Sequence, residues 1–190
     1  MSDNAKNRLL ELLKNLGCSE DYADFQPKSL SSSGFHQSTV VIGFPDGRII
    51  QGTGEGSRKS DADIAAAKDA IEKWSNNYPD LLVNWAEINV QAQAGDALIK
   101  LGIYISTAIK SASDKSLQLQ RLESDSHLAM VFDYWKAQGD PDLAIWGANL
   151  GEKRKATLVE ALLWQRFGTQ VISTNASEQL QALMQMIVTN

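Results

Sequence analysis

Cysteine occurs once in this chain, at Cys18, and histidine twice, at His36 and His127. A single cysteine excludes an internal disulfide and fits a reducing compartment. So few thiols and imidazoles argue against a Cys/His zinc site. No apolar run approaches membrane-spanning length, and the N-terminal Met-Ser-Asp-Asn lacks the charged and apolar regions of a signal peptide. A soluble, cytoplasmic protein is expected. An excess of positive charge is also missing. The net charge is −5 over 190 residues, and neither the first 76 residues (−2) nor the remainder (−3) is basic. A broad, indiscriminate nucleic-acid binder is thereby disfavoured, and any nucleic-acid surface has to be local.

What the chain does have is apolar content of 43%, enough to build cores in one or two domains. Residues 4–16 predict a helix, because Leu9, Leu12, Leu13 and Leu16 share one face and Gly17 suits the position after a helix end. Residues 22–28 predict a first strand. A polar loop, Ser31 to Gly34, leads into a β-branched stretch over 39–44. Pro45-Asp46-Gly47 is a turn signal, and 48–51 returns as the next strand. Gly54-Glu55-Gly56-Ser57 is then read as a glycine-rich turn that feeds Arg58 and Lys59 into a helix over 61–74, whose small face carries Ala62, Ala65, Ala66 and Ala70. Unpaired backbone N–H groups and the macrodipole make such a helix start favourable for an anion.

The order α-β-β-β-α, the leucine-rich first helix, Gly34-Phe35-His36, Gly54-Glu55-Gly56, and Lys59 ahead of Ala62, Ala66 and Ala67 resemble a double-stranded RNA-binding domain over roughly residues 5–75. The resemblance implies binding of double-stranded or structured RNA by shape: the first helix and the His36 loop in successive minor grooves, Arg58 and Lys59 on phosphates of the major groove between them. The chain departs from the family pattern with Ser60 and Asp63 where further basic residues are usual, and with Phe35 near the usual proline. Each missing phosphate contact removes a salt-dependent increment of affinity, so this domain alone is expected to bind weakly.

Ser75-Asn76-Asn77-Tyr78-Pro79 marks a boundary, giving domains at 1–76 and 80–190. Beyond it the periodicity is helical: 84–112, interrupted by Gly95 and Gly102, then 116–136, a break at Gln138-Gly139-Asp140-Pro141, and helices over 155–167 and 177–188. Gly95 is read as a tight helix crossing or a helix start. Gly95-Asp96-Ala97-Leu98 and, later, the stretch Arg154 to Leu163 containing Thr157 and Glu160 resemble the two acidic motifs of ribonuclease III, in that family's order. Ala92 and Thr157 stand where the full-length family has two further acids, which is similar to the short Mini-III branch. The expected fold class is thus α+β: an α-β-β-β-α domain followed by an all-α, ribonuclease III-like domain.

That resemblance implies an endoribonuclease acting on structured RNA, such as a ribosomal RNA precursor, as a homodimer with one site per subunit. Asp96 and Glu160 would hold Mg²⁺ (Mn²⁺ is the alternative ion). Such an ion keeps several waters and is commonly bound by one or two carboxylates plus substrate phosphate. Thr157, three residues before Glu160 on the same helix face, is within reach of water at that site. Lys153, Arg154 and Lys155 would steer phosphate toward Glu160 or form a solvated first turn. Two other readings stay open: a catalytically inactive RNA-binding or ribosome-assembly factor that keeps both folds, and a protein-interaction module that has lost RNA.

Overall fold

In the computed structural model, which describes residues 4–28, 30, 32, 34–105 and 111–171, the first helix, α1 (Ala5–Asn15), starts where Asn4 accepts the Lys6 N–H at 3.1 Å. It ends where Gly17 takes φ +74°. The Cys18 and Gly17 N–H groups then reach back to the carbonyls of Leu13 and Lys14, each at 3.0 Å, the paired closure of a Schellman cap. Leu9, Leu13 and Leu16 of this segment are buried.

Three antiparallel strands follow in the order β1 (Ala23–Lys28), β2 (His36–Gly43) and β3 (Ile49–Gly56). A short 3₁₀ turn at Glu20–Tyr22 precedes β1. The β2–β3 pairing runs from His36 opposite Gly56 to Gly43 opposite Ile49. Phe44 and Arg48 close the turn between them, with Gly47 at φ +88° and Asp46 accepting both the backbone N–H and Nε of Arg48. Val40, Ile42 and Ile50 are buried, alternate residues of β2 and one of β3, which is the period-two pattern of a sheet covered on one face.

Helix α2 (Lys59–Asn77) lies against β3. The contact is backbone on backbone. A Cβ at Gly52 would stand 2.3 Å from the Ala66 carbonyl, one at Gly54 2.2 Å from the Ala66 nitrogen, and one at Gly56 2.5 Å from the Ala62 nitrogen. Ala62, Ala66 and Ala70 supply the matching small face, all buried. The glycine-rich turn expected at 54–57 is therefore corrected: Gly54, Glu55 and Gly56 belong to β3, and the turn shrinks to Ser57 and Arg58. The glycines recur at every second position because each faces the helix. At the far end of α2, Trp74 is fully buried and meets Phe44 edge-on, ring centroids 4.7 Å apart.

The chain divides into two compact units. The first joins Met1–Asn84 to a later stretch, Gln138–Leu150; the second comprises Trp85–Ala137 and Gly151–Asn190. Sequence alone puts the boundary at 76–80 and leaves 138–150 with the helical half. In the structure Gly147 and Asn149 donate to the Leu16 and Gly17 carbonyls at 2.7 and 2.8 Å, and Leu143, Trp146 and Leu150 are buried.

The second unit is helical: α3 (Trp85–Ile105), α4 (Ala112–Leu122), α5 (Asp125–Ala137) and α6 (Glu152–Val171). Helix α6 packs against both α3 and α5. The single helix expected over 116–136 is corrected to two. Ser124 separates them, its hydroxyl accepting the His127 N–H at 3.3 Å and its carbonyl the Leu128 N–H, an N-cap that restarts the helix. Helix α3 runs unbroken through Gly95 and Gly102. The helix expected over 177–188, with Leu180, Leu183, Met184 and Ile187, lies outside the described residues. The described chain is thus a mixed α+β fold with one three-stranded antiparallel sheet and six α-helices. No helix among the described residues is long and apolar enough to cross a membrane.

Candidate functional site

Gly95 decides the geometry of the helical unit. A Cβ there would lie 1.9 Å from the Glu160 carbonyl oxygen, so the backbones of α3 and α6 touch at this point and only glycine fits. Of the two alternatives for Gly95, a helix start or a tight crossing, the crossing is the one observed. Asp96 follows Gly95 on α3 and Glu160 is the α6 residue at the contact, both partly exposed. The carboxylates interact: the Glu160 carboxyl is pushed up to about 7, first by burial, then by the negative charges of Asp96, Asp125 and Glu123, with Lys100 opposing.

Glu123 and Asp125 flank Ser124 at the α4–α5 break, and Lys100 lies one turn beyond Asp96. Lys100 Nζ bonds Asp96 Oδ2 at 2.5 Å and stands 3.7 Å from Glu123 Oε1. Glu123 Oε1 is shielded from solvent and makes no hydrogen bond. Burial raises the Glu123 carboxyl, the Lys100 charge opposes this, and the Asp96 charge adds to it. The bond to Asp96 holds the Lys100 ammonium above its ordinary range. The site is therefore one ammonium bonded to Asp96 and close to Glu123, with Glu160 within electrostatic range of Asp96, Asp125, Glu123 and Lys100.

Sequence reasoning singled out Asp96 and Glu160 and missed Lys100, Glu123 and Asp125. Lys100 was visible as the i+4 partner of Asp96. Glu123 and Asp125 were concealed by reading 116–136 as one helix, which hides the break that carries them.

The remaining residues fall in two groups. Thr157 sits one turn before Glu160 on α6, and its hydroxyl donates to the Lys153 carbonyl at 2.9 Å. In the first turn of α6, Lys153 is exposed, the Arg154 guanidinium stacks 4.7 Å from the Trp85 ring centroid, and Lys155 is bonded to both Asp133 oxygens at 2.8 and 2.9 Å. Much of the charge of Lys155 is thus already answered within the fold. In the N-terminal unit, His36 begins β2 opposite Gly56, Arg58 is the N-cap residue of α2 and Lys59 its first residue. Arg58 and Lys59 are exposed. Asp63, one turn further, is engaged by the Ser38 hydroxyl and by Lys6 at 3.8 Å.

No protein-family model, curated protein or solved structure matches this chain. The site's chemistry is accordingly read from its own residues. An all-oxygen, carboxylate donor set fits a hard divalent cation such as Mg²⁺ or Mn²⁺ and not a soft one. Among the described residues no group of three or more His, Cys, Asp or Glu side chains is placed to hold a metal ion. The fit is to a hydrated ion held by one or two carboxylates. Burial is the first cause of the raised Glu160 carboxyl, and the neighbouring negative charges that add to it are what such a cation relieves.

Proposed function

We propose that the chain is a structured-RNA-binding endoribonuclease of ribonuclease III-like type, with Asp96 and Glu160 as the acidic pair that holds Mg²⁺ or Mn²⁺. The observation that carries this reading is the backbone contact of Gly95 with Glu160, which joins the two acidic motifs that the sequence separates by more than sixty residues. An ion bound there would supply positive charge to the scissile phosphate and acidify the attacking water. Asp96 and Glu160 would orient it. Thr157 keeps acceptor lone pairs free for a nearby water while its proton is committed to Lys153. Lys153 would add local positive charge at the start of α6 for the incoming phosphate. His36, Arg58 and Lys59 would grip the duplex by backbone and 2′-hydroxyl contacts. The reading includes a cytoplasmic homodimer with one site per subunit, checked by sedimentation equilibrium.

The test is incubation of a hairpin RNA with Mg²⁺ and the whole chain, beside the Asp96→Asn and Glu160→Gln variants. Cleavage by the native chain should fall by at least about 100-fold in either variant, since such charge stabilisation is worth several kcal/mol. One observation favours a second reading. Lys100 already neutralises Asp96, as in a site that no longer needs a metal, and this suits a non-catalytic RNA-binding or ribosome-assembly factor. RNA retained but left intact across several substrates would select that reading.

A further inference from the structure

We infer that Lys100 is a tethered cation that competes with a divalent metal ion for Asp96. The inference rests on the metal-binding reading just given and adds to it a residue that controls when metal binds. Asp96 and Lys100 are four residues apart on one helix, so their side chains lie on the same face. The ammonium does not pair with Asp96 alone: at 3.7 Å from Glu123 Oε1 it also answers an oxygen that makes no hydrogen bond. A single positive charge thus ties α3 to the end of α4 through Asp96 and Glu123. A hard cation needs the same Asp96 oxygens, and it cannot share them with an ammonium at contact distance without strong like-charge repulsion. Metal entry therefore requires Lys100 to swing away. The lysine side chain is 45% exposed, so solvent is available to receive it. One ammonium shared by the Asp96 and Glu123 carboxylates leaves a deficit of positive charge, and a divalent ion carries twice the charge, which is the drive for that exchange.

The experiment titrates the full chain with Mn²⁺ alone and reads free ion by electron paramagnetic resonance, which does not depend on activity. Four proteins are compared: native, Lys100→Gln, Lys100→Arg, and Lys100→Gln combined with Asp96→Asn. Lys100→Gln should bind Mn²⁺ at least about tenfold more tightly, because a like charge is removed from contact distance. Lys100→Arg, which keeps the charge, should stay near the native affinity, and the double variant should lose the gain. Lys100→Met serves in place of the glutamine variant if the latter does not fold. Equal affinity of the native and Lys100→Gln proteins would overturn the role of Lys100 while leaving Asp96 and Glu160 as metal ligands. Failure of both to bind Mn²⁺ at millimolar concentration would overturn the metal reading and this inference together.

Discussion

Glu160 is an acid whose ionisation works against the fold. Its carboxyl is pushed up to about 7 by burial and by Asp96, Asp125 and Glu123, above its value in an unfolded chain. A group with a raised folded value contributes stability fully below the unfolded value, and that contribution is lost as pH rises through about 7. Native protein without divalent ions should therefore lose stability between pH 5 and 8, by about 1–2 kcal/mol after allowance for solvent screening. Glu160→Gln should flatten the profile, and urea midpoints at the two pH values read the difference. Gly95 is the second residue with a sharp expectation. Gly95→Ala drives a methyl into the Glu160 carbonyl, and separating α3 from α6 should cost about 1–3 kcal/mol in the same urea assay. Its role was legible as one of two alternatives, because a glycine inside a helical periodicity needs a packing reason.

At the scale of elements, β3 and α2 are cut to fit one another. Gly52, Gly54 and Gly56 alternate with Gln51, Thr53 and Glu55, and the glycine face receives Ala62, Ala66 and Ala70. Gly54→Ala should destabilise by about 1–3 kcal/mol through overpacking. Gly43→Ala should be neutral or mildly stabilising, since a Cβ at Gly43 meets nothing within 4 Å. Thermal melts of the two variants make the comparison internal to one sheet. The same stretch shows why sequence reading stopped short. Glycine signals turns, so the run at 54–56 read as a loop; its period of two, the strand signature, was outweighed by composition. The leucine face of α1 and the alanine face of α2 were legible because burial of side chains writes itself in periodicity. The break between α4 and α5 was not, because a serine cap inside a helical stretch looks like any surface serine.

At the scale of the whole molecule, charge and connectivity set the expectations. With a net charge of −5, the proposed RNA binding would rest on a few local cations, so its salt dependence should be shallow. Arg58→Ala with Lys59→Ala should lower the slope of log K against log salt by about 2, measured by fluorescence anisotropy on a plain duplex. Connectivity makes a stronger demand. The N-terminal unit is completed by Gln138–Leu150, a stretch that no periodicity in the first 84 residues announces. Gly147 sits so close to Gly17 that a Cβ would lie 2.2 Å from its carbonyl, and the Gly147 and Asn149 N–H groups satisfy carbonyls at the end of α1. Leu143, Trp146 and Leu150 bring their apolar area to the same unit. Burying a large apolar side chain contributes about 1.5–3 kcal/mol, against a total of about 5–15 kcal/mol for a typical domain. A fragment ending at residue 84 should consequently melt well below the full chain, or without a cooperative transition, when followed by near-ultraviolet circular dichroism. Joining residues 138–150 to that fragment through a flexible linker should restore cooperativity. A fragment of 1–84 that melts as sharply and as high as the joined form would mean that these three side chains add little to the unit, whatever their burial.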